Sequence, residues 1–155
     1  MIWWKELIRR AYFKYSYTYH DYPLPSPEGV ITRLEVKEAI VKHYTGRNLF
    51  LSDPGYISTT KKEAQKFSKL ANVHNTPYVE HIHDCDNYSA ALKGHWADSL
   101  ISYSFGIAWS QTHAFNIFID NKRKVWFVEP QGNIWYPIEK AKKIKKYWPL
   151  RMVLI

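Results

Sequence analysis

The sequence contains little cysteine, glycine or proline. Cys85 is the single cysteine among 155 residues, so no internal disulfide can form and no oxidising compartment is implied. Six glycines and eight prolines, together with 23% charged residues, exclude the composition of a fibrous repeat or a disordered chain. A lone cysteine is either a buried small side chain or a reactive thiol.

Long hydrophobic runs are absent as well. Near the start of the chain, Lys5, Arg9 and Arg10 interrupt a short apolar stretch. That stretch therefore lacks both the core of a signal peptide and the length of a membrane span. We expect a soluble, cytoplasmic protein with no membrane partner, which would act inside a host cell if its source is viral.

Apolar and aromatic residues, in contrast, are abundant. A hydrophobic fraction of 46% in 155 residues is enough to bury one sizeable core, so we expect a single domain over residues 1–155. Seven tryptophans and twelve tyrosines indicate a ring-rich core or a binding groove. We expect residues 1–27 to form an aromatic helix and arm, and residues 28–155 to form a helical lobe and the core that carries the candidate site.

Positive charge exceeds negative charge by eight at pH 7. The densest basic run interleaves lysines with apolar residues at helical spacing, which favours the solvated face of a short helix over a polyanion site. Its members are Lys140, Lys142, Lys143, Lys145 and Lys146. We therefore do not expect nucleic acid to be a partner.

Two local patterns predict helix starts in the first half of the chain. Thr32 and Glu35 have the spacing of a capping box, and the apolar residues that follow predict a helix ending near Gly46. A second helix opens at Thr59 or Thr60, again ahead of apolar residues at helical spacing.

Two strand patterns in the second half predict a hairpin. Residues 114–120 and 124–128 are rich in β-branched and aromatic side chains and are joined across Asn121. A turn about Asn121 and Lys122 would pair residues whose numbers sum to about 242 or 243. A last helix and an apolar strand, residues 151–155, complete the predicted pattern.

Cys85 occupies a position where a thiol can be activated. Asp84 is a good N-cap for a helix beginning at Cys85, and the unpaired N–H groups at a helix start favour thiolate over thiol. The carboxylates of Asp84 and Asp86 oppose this effect, so activation requires a cationic partner. The alternative interpretation is that Cys85 is a buried free cysteine.

His113 and Glu129 are the candidate partners of that thiol. In the predicted hairpin they lie opposite each other at its open end, about 5.5 Å apart at Cβ. At that spacing a carboxylate can accept a hydrogen bond from an imidazole and hold its tautomer. Each residue alone is equally consistent with an ordinary strand end. Together with Cys85, in the chain order Cys, His, acid, they predict a catalytic triad.

Three further residues are candidates for the cleft around the triad. Gln131 lies two residues beyond Glu129 and is placed to donate to a developing oxyanion. Asn116 is a second amide near the strands, and it could instead serve a turn or a buried hydrogen bond. Tyr78 precedes the helix of Cys85 and is a candidate for lining the cleft.

A competing hypothesis is a zinc site at His81, His83 and Cys85, all of them residue types that bind transition metals. The two histidines would point the same way in an extended segment. No second ligand cluster with a recognisable spacing accompanies them, and a cysteine that opens a helix would have to turn back to join them. These features favour histidines that are solvated or line a pocket.

Three short motifs carry a resemblance to a known family. Residues 85–89 (Cys-Asp-Asn-Tyr-Ser), 113–116 (His-Ala-Phe-Asn) and 129–131 (Glu-Pro-Gln) resemble the pattern Cys-Asp-Asp-Phe-Ala, His-Ala-x-Asn, Glu-Pro-Gln. That pattern belongs to the papain-like domain at the C-terminal end of a mushroom agglutinin, which has relatives among small bacterial and phage proteins. The resemblance covers residues 78–137.

The resemblance implies a calcium-activated cysteine protease with Cys85 as nucleophile, His113 as base and Glu129 orienting the base. It implies an α+β fold of the papain-like or transglutaminase-like kind, with N-terminal helices and the nucleophile at a helix start packed on a small antiparallel sheet. Asn87 and Ser89 depart from the family pattern, whereas Asp86 keeps one carboxylate as a candidate metal ligand. Because Asn87 replaces one carboxylate of the family pattern, we expect no cofactor to be required. Calcium is a candidate by resemblance alone.

Two functional hypotheses follow from the sequence. The first is a papain-like peptidase or amidase in which the Cys85 thiolate attacks an amide bond of a protein or peptide substrate. The alternative is a catalytically inert binding or accessory module of a virus or mobile element. Its aromatic and basic surface would hold a protein, a glycan or a nucleic acid, and its cysteine would be unreactive.

Overall fold

The structure, a computed structural model, describes residues 23–80, 83–97 and 101–155. Most of the expected aromatic helix and arm lies outside these residues, as does His81. At the start of the described chain, Leu24 is buried and the Tyr103 hydroxyl donates to the Pro25 carbonyl at 2.6 Å. Across the described ranges, no helix combines the length and apolar character needed to cross a membrane.

Four α-helices form in the described residues. They are α1 (Arg33–Val41), α2 (Lys61–Leu70), α3 (Cys85–Ala97) and α4 (Ile138–Ala141). The predicted Lys-rich helix is therefore mostly wrong: α4 ends at Ala141, and residues 145–147 form a separate 3-10 turn.

Capping side chains set the starts of α1 and α2. The Thr32 hydroxyl accepts the Glu35 N–H at 3.2 Å, and the Glu35 carboxylate accepts the Thr32 N–H at 2.8 Å. This reciprocal box satisfies two backbone groups that a helix start otherwise leaves unpaired. The Thr60 hydroxyl accepts the Glu63 N–H at 3.1 Å in the same way. Both predicted starts are confirmed, although α1 ends earlier than expected.

Eight strands form two sheets in the described residues. They are β1 (Gly29–Thr32), β2 (Leu49–Phe50), β3 (Gly55–Ser58), β4 (Phe105–Trp109), β5 (Ala114–Ile119), β6 (Val125–Glu129), β7 (Ile134–Pro137) and β8 (Met152–Leu154). β1 pairs with β3, and the other strands form one sheet in the order β2-β8-β4-β5-β6-β7. The pair β2 and β8 is parallel, whereas the other pairs are antiparallel.

The α+β class is confirmed, but the expected small antiparallel sheet is a six-stranded mixed sheet. The extra strands come from residues distant in the sequence, since Leu49 of β2 pairs with Val153 of β8. Pairing between such distant segments is set by tertiary packing and leaves no local sequence pattern.

Helices cover both faces of the six-stranded sheet. α1 and α4 pack on one face, which we call the α1 face, and α2 and α3 pack on the other, the α3 face. Successive side chains of a strand point to opposite faces. In β5, Phe115 and Ile117 join the α1 face and Phe118 joins the α3 face. By the same alternation His113, just before β5, belongs with the α1 face.

The predicted hairpin between β5 and β6 is present. Its register is shifted by two residues from the expected sum of 242, which would place His113 directly opposite Glu129. Asn116 pairs with Val128, so paired residue numbers sum to 244. The turn is built around Asp120, whose carboxylate accepts the N–H groups of Lys122 at 2.8 Å and Lys124 at 2.9 Å. Because the side-chain period of a strand is two, this shift leaves every side chain on its expected face.

Candidate active site

Cys85 is the first residue of α3, as the sequence predicted. The side chain of Asn87 accepts the Asp84 N–H at 3.1 Å, and the Ser89 hydroxyl donates to the Cys85 carbonyl at 2.7 Å. These bonds fix the first turn of the helix around the thiol. Cys85 is only half-buried, which differs from the fully buried residue that the buried-cysteine alternative describes.

The sulfur of Cys85 lies against the backbone of β5. The Ala114 N–H donates to Cys85 Sγ at 3.4 Å. Ala114 directly follows His113 in the chain, so this contact brings the thiol of the α3 side to the strand end that carries the candidate base. A backbone N–H aimed at sulfur also stabilises negative charge there.

His113 and Glu129 are in direct contact. His113 Nε2 lies 2.8 Å from Glu129 Oε2, and the two side chains are only 11% and 5% exposed. An ionised carboxylate can only accept, so we assign the proton to Nε2, which leaves Nδ1 as the unprotonated nitrogen of a neutral ring. Because of the shifted register, the two residues are diagonal neighbours on one face rather than direct opposites, and their side chains still meet.

The Glu129 carboxylate accepts from three side chains at one oxygen. Besides His113, the Lys146 ammonium donates to Oε2 at 2.7 Å and the Tyr147 hydroxyl donates to it at 2.8 Å. Burial raises the pKa of Glu129, but the hydrogen bonds from His113 and Lys146 outweigh burial and hold that pKa at about 2. Burial, followed by the charge of Glu129, raises the pKa of Tyr147.

Lys146 and Tyr147 were not among the site residues predicted from the sequence. The lysine run favoured one solvated helix face, whereas α4 stops at Ala141 and the following 3-10 turn carries Lys146 to Glu129. Tyr147 is buried in the structure. In the sequence it stands between Lys146 and Trp148, and no periodic pattern there indicates which side chains are covered.

Asn116 is not a cleft residue in this structure. Its side-chain amide is fully buried and donates to the Ser89 carbonyl of α3 at 2.9 Å and the Gly106 carbonyl of β4 at 3.0 Å. The even position of Asn116 in β5 directs it to the α3 face, away from His113. It therefore serves the buried hydrogen bond that was its second interpretation, joining α3 to the sheet.

The other two cleft candidates lie near the site. Gln131 is half-buried in the turn after β6, at the same end of the hairpin as His113. Tyr78 is 56% exposed. Desolvation, then the charges of Asp84 and Glu80, raises the pKa of Tyr78. Their roles as cleft residues stay predictions.

Metal ligands are sparse around the thiol. Asp86 is exposed and accepts the Asn87 N–H at 2.9 Å, and a hydrogen bond shared with Asp84 lowers the pKa of Asp86. Within the described residues, no group of three or more His, Cys, Asp or Glu side chains could hold a metal ion. Calcium prefers about six to eight oxygen ligands, which can include backbone carbonyls and waters, and the calcium candidate at Asp86 stays a prediction.

The zinc hypothesis depends partly on residues outside the described ranges. His81 lies there, so its position relative to Cys85 stays untested. His83 packs its ring on Tyr88 with centroids 4.4 Å apart, and its backbone forms two hydrogen bonds with Val79. The histidine that the structure does describe is thus engaged in local packing.

Solved structures that are similar to this chain include the PSL1a–E64 complex and a Polyporus squamosus lectin. The PSL1a–E64 complex is 21% identical with a TM-score of 0.65, and the match covers 81% of this chain and 51% of that one. The crystal structure of Polyporus squamosus lectin bound to a human-type influenza-binding epitope, Neu5Aca2-6Galb1-4GlcNAc, is 20% identical with a TM-score of 0.64, covering 81% and 49%. No protein-family model and no curated protein matches the chain.

These neighbours establish a lectin-related fold, in agreement with the agglutinin part of the resemblance. Neither is described as papain-like or transglutaminase-like, so that finer assignment and the viral origin stay predictions. The chain spans about half the length of these structures, with 51% and 49% covered, and at this identity the likeness concerns the fold alone.

Proposed function

We propose that this chain is a cysteine hydrolase that cleaves amide bonds in a protein or peptide substrate. One observation carries the proposal: His113 Nε2 lies 2.8 Å from Glu129 Oε2, at the strand end where Cys85 Sγ meets the Ala114 N–H. These two contacts support a nucleophile, a base and an orienting acid supplied by three elements that meet at one end of β5.

The acylation step uses each of the three side chains. The thiol proton passes to His113 Nδ1, and the resulting thiolate attacks the carbonyl carbon of the amide. Glu129 stays ionised, holds the ring through Nε2–H and stabilises the imidazolium. The imidazolium then protonates the leaving amine, which departs and leaves a thioester on Cys85.

Deacylation reverses these roles with water as the nucleophile. His113 takes a proton from water as the water oxygen adds to the thioester carbon. The C–S bond then breaks, the imidazolium returns the proton to the Cys85 sulfur, and the carboxylic acid product departs. In both steps the tetrahedral intermediate carries a negative oxygen. Backbone N–H groups at the start of α3 are the candidate donors for it, with the Gln131 amide as a further candidate.

The pH dependence of Cys85 alkylation tests this proposal. We expect iodoacetamide to react with the wild-type thiol well below pH 8.5, the approximate midpoint of a free cysteine. His113→Ala should abolish that low-pH reaction, and Cys85→Ser should abolish labelling altogether. His43→Ala is the matched control, because His43 also contacts a glutamate at 3.2 Å. A thiol that titrates like free cysteine in every variant would refute the proposal.

A second test uses E64, the compound in one of the similar structures. Wild-type chain is incubated with E64 and its intact mass is measured, with Cys85→Ser as control. We expect one E64 molecule to be attached to each wild-type chain and none to the Cys85→Ser chain. Unmodified wild-type chain would count against an active site of this kind.

Glycan binding is the second candidate function, and the lectin name of one neighbour favours it over hydrolysis. The Polyporus squamosus lectin is bound to a sialylated trisaccharide, but about half of that chain has no counterpart here. Its sugar site can therefore lie in the unmatched half. In this chain, the exposed ring of Tyr78 is the kind of surface that a sugar could stack on.

Calorimetry with Neu5Aca2-6Galb1-4GlcNAc tests the second candidate. Saturable binding that is weaker for Galb1-4GlcNAc, and that Tyr78→Ala reduces, would support a glycan-binding module. Binding that persists in Cys85→Ser while the wild-type thiol is unreactive would replace the hydrolase proposal with this one. No heat with either sugar would exclude both sugars as ligands.

A further inference from the structure

Lys146 and Tyr147 surround the buried carboxylate of Glu129, and neither belongs to the triad. We propose that both are positioning residues: Tyr147 holds Glu129 in the orientation that His113 requires, and Lys146 sets the pH range over which Cys85 and His113 react. This inference deepens the proposed hydrolase function and rests on it.

The hydrogen bonds to Glu129 are unevenly divided between its two carboxylate oxygens. Oε2 accepts from His113, Lys146 and Tyr147 within 2.7 to 2.8 Å, whereas the buried Oε1 has no partner among the described residues. Rotation of the carboxylate would break three charge-assisted bonds at once, so the convergence on one oxygen fixes its orientation.

The Ser110 side chain connects the 3-10 turn that carries Lys146 and Tyr147 to the backbone of His113. The Ser110 hydroxyl donates to the Lys146 carbonyl at 2.6 Å, and the same hydroxyl oxygen accepts the His113 N–H at 3.1 Å. Ser110 is itself buried. The 3-10 turn and His113 are therefore held by one side chain, and a shift in either moves the other.

Tyr147 and Lys146 differ in burial, which separates their roles. Tyr147 is buried, with its ring centroid 5.0 Å from that of Phe115 and 5.6 Å from that of His113. It is neutral, so removing its hydroxyl changes orientation with little change in charge. Lys146 is 48% exposed and carries a full positive charge beside Glu129, so its removal changes the electrostatics of the site.

The sign of the Lys146 effect follows from its charge. A cation near the site favours the deprotonated thiolate and disfavours the protonated imidazole. Without it, both Cys85 and His113 bind protons more readily, and thiolate formation moves to higher pH. Because water screens a half-exposed lysine, we expect a shift of about 0.5 to 1 pH unit.

The experiment compares Lys146→Met, Lys146→Arg and Tyr147→Phe, with Lys142→Met as control. Lys142 is a matched lysine that lies 3.5 Å from His43 rather than near Glu129. Lys146→Met should raise the pH midpoint of Cys85 alkylation, and Lys146→Arg should restore it. Tyr147→Phe should slow alkylation about three- to tenfold with a smaller midpoint shift. Lys142→Met should match wild type.

A second measurement separates this inference from the proposed function. In a Cys85→Ser background, NMR follows the titration of the His113 ring with and without Lys146→Met, where we expect an upward shift of the midpoint. Unreactive wild-type Cys85 with a shifted His113 titration would refute the hydrolase but support the charge role. Unchanged midpoints in both measurements, with Tyr147→Phe alkylated at the wild-type rate, would overturn the inference.

Discussion

In the part of the chain that the structure describes, two groups of one histidine, one glutamate and one lysine differ in burial. In the first, His43 Nδ1 lies 3.2 Å from Glu139, whose side chain is 71% exposed, and Lys142 approaches the histidine. In the second, the Glu129 carboxylate is only 5% exposed, and Lys146 approaches that glutamate rather than the histidine. The residue types are the same, but the environments are opposite.

The difference shows what burial adds to a charge cluster. Burial, and then the charge of Lys142, lowers the pKa of His43, so this histidine is held neutral despite its glutamate. In the buried group three donors hold the glutamate ionised, and an ionised glutamate stabilises an imidazolium. Only the buried group also lies at the strand end reached by Cys85. Chemistry is therefore expected of one group and not of the other.

The largest predicted difference is in stability. Glu129→Ala leaves a buried tyrosine hydroxyl and a nearly buried imidazole without their acceptor, which should lower the free energy of unfolding by about 2 to 4 kcal/mol. Glu139→Ala removes an exposed partner and should cost about 0.5 kcal/mol or less. Urea unfolding at pH 7 measures both variants. Equal losses would mean that burial does not distinguish the two groups.

The next prediction concerns acid unfolding, which should show two separate pH windows. The pKa of Glu129 falls from 4.5 to about 2 on folding, so its stabilisation is complete above pH 4.5 and is lost as the pH falls towards 2. The pKa of His43 falls below its ordinary value of 6.5, so stability also declines as the pH drops below 6.5.

Two glutamine variants separate these windows. Glu129→Gln should reduce the lower window, to which Glu35 also contributes because its pKa is about 2. His43→Gln should flatten the upper window, as measured by urea midpoints at a series of pH values. A single window that both variants alter equally would contradict this assignment.

A smaller effect is expected on the reactivity of the thiol. Glu129→Gln should slow low-pH alkylation of Cys85 about tenfold, because a neutral amide stabilises an imidazolium less than a carboxylate does. Glu139→Gln should leave the rate at the wild-type value. Iodoacetamide kinetics at pH 6 measure the alkylation rate of both variants. Slow alkylation of Cys85 in the Glu139→Gln protein would contradict this prediction, because it would mean that Glu139 also affects the thiol.

The smallest effect is expected at a third, exposed charge pair. Arg123 contacts Glu35 at 2.6 Å, with side chains 45% and 35% exposed. Because solvent screens such a pair, Arg123→Ala should change the free energy of unfolding by about 0.5 kcal/mol. Glu35 keeps its capping bond to Thr32, the larger reason why its pKa is about 2. A loss as large as that of Glu129→Ala would show that exposure is a poor guide here.

Helix starts were the features that the sequence predicted best. Thr32, Thr60 and Cys85 each mark a start in the structure. Capping depends on a side chain and backbone groups within three residues, so the physical cause lies inside a short window of sequence. The hairpin was predicted for a similar reason, but its register depended on how Asp120 binds the turn, and it differed by two residues.

Contacts between distant residues were the largest group of features that the sequence did not predict. Lys146 and Tyr147 reach Glu129 from another element, and Asn116 joins α3 to β4. The parallel pair of β2 and β8 is of the same kind. Such contacts depend on which segments the core brings together, and periodicity within one segment carries no information about its neighbours.

The sequence by itself determined the α+β composition, the start of α3 at Cys85 and the common face of His113 and Glu129. Each of these follows from capping or from the two-residue period of strands, which are properties of the local chain. Tertiary structure alone decided that Glu129 is buried, that Lys146 and Tyr147 hold it, and that the thiol meets the Ala114 N–H. Burial and the choice of hydrogen-bond partners are collective results of packing, because a side chain loses water only when other segments cover it.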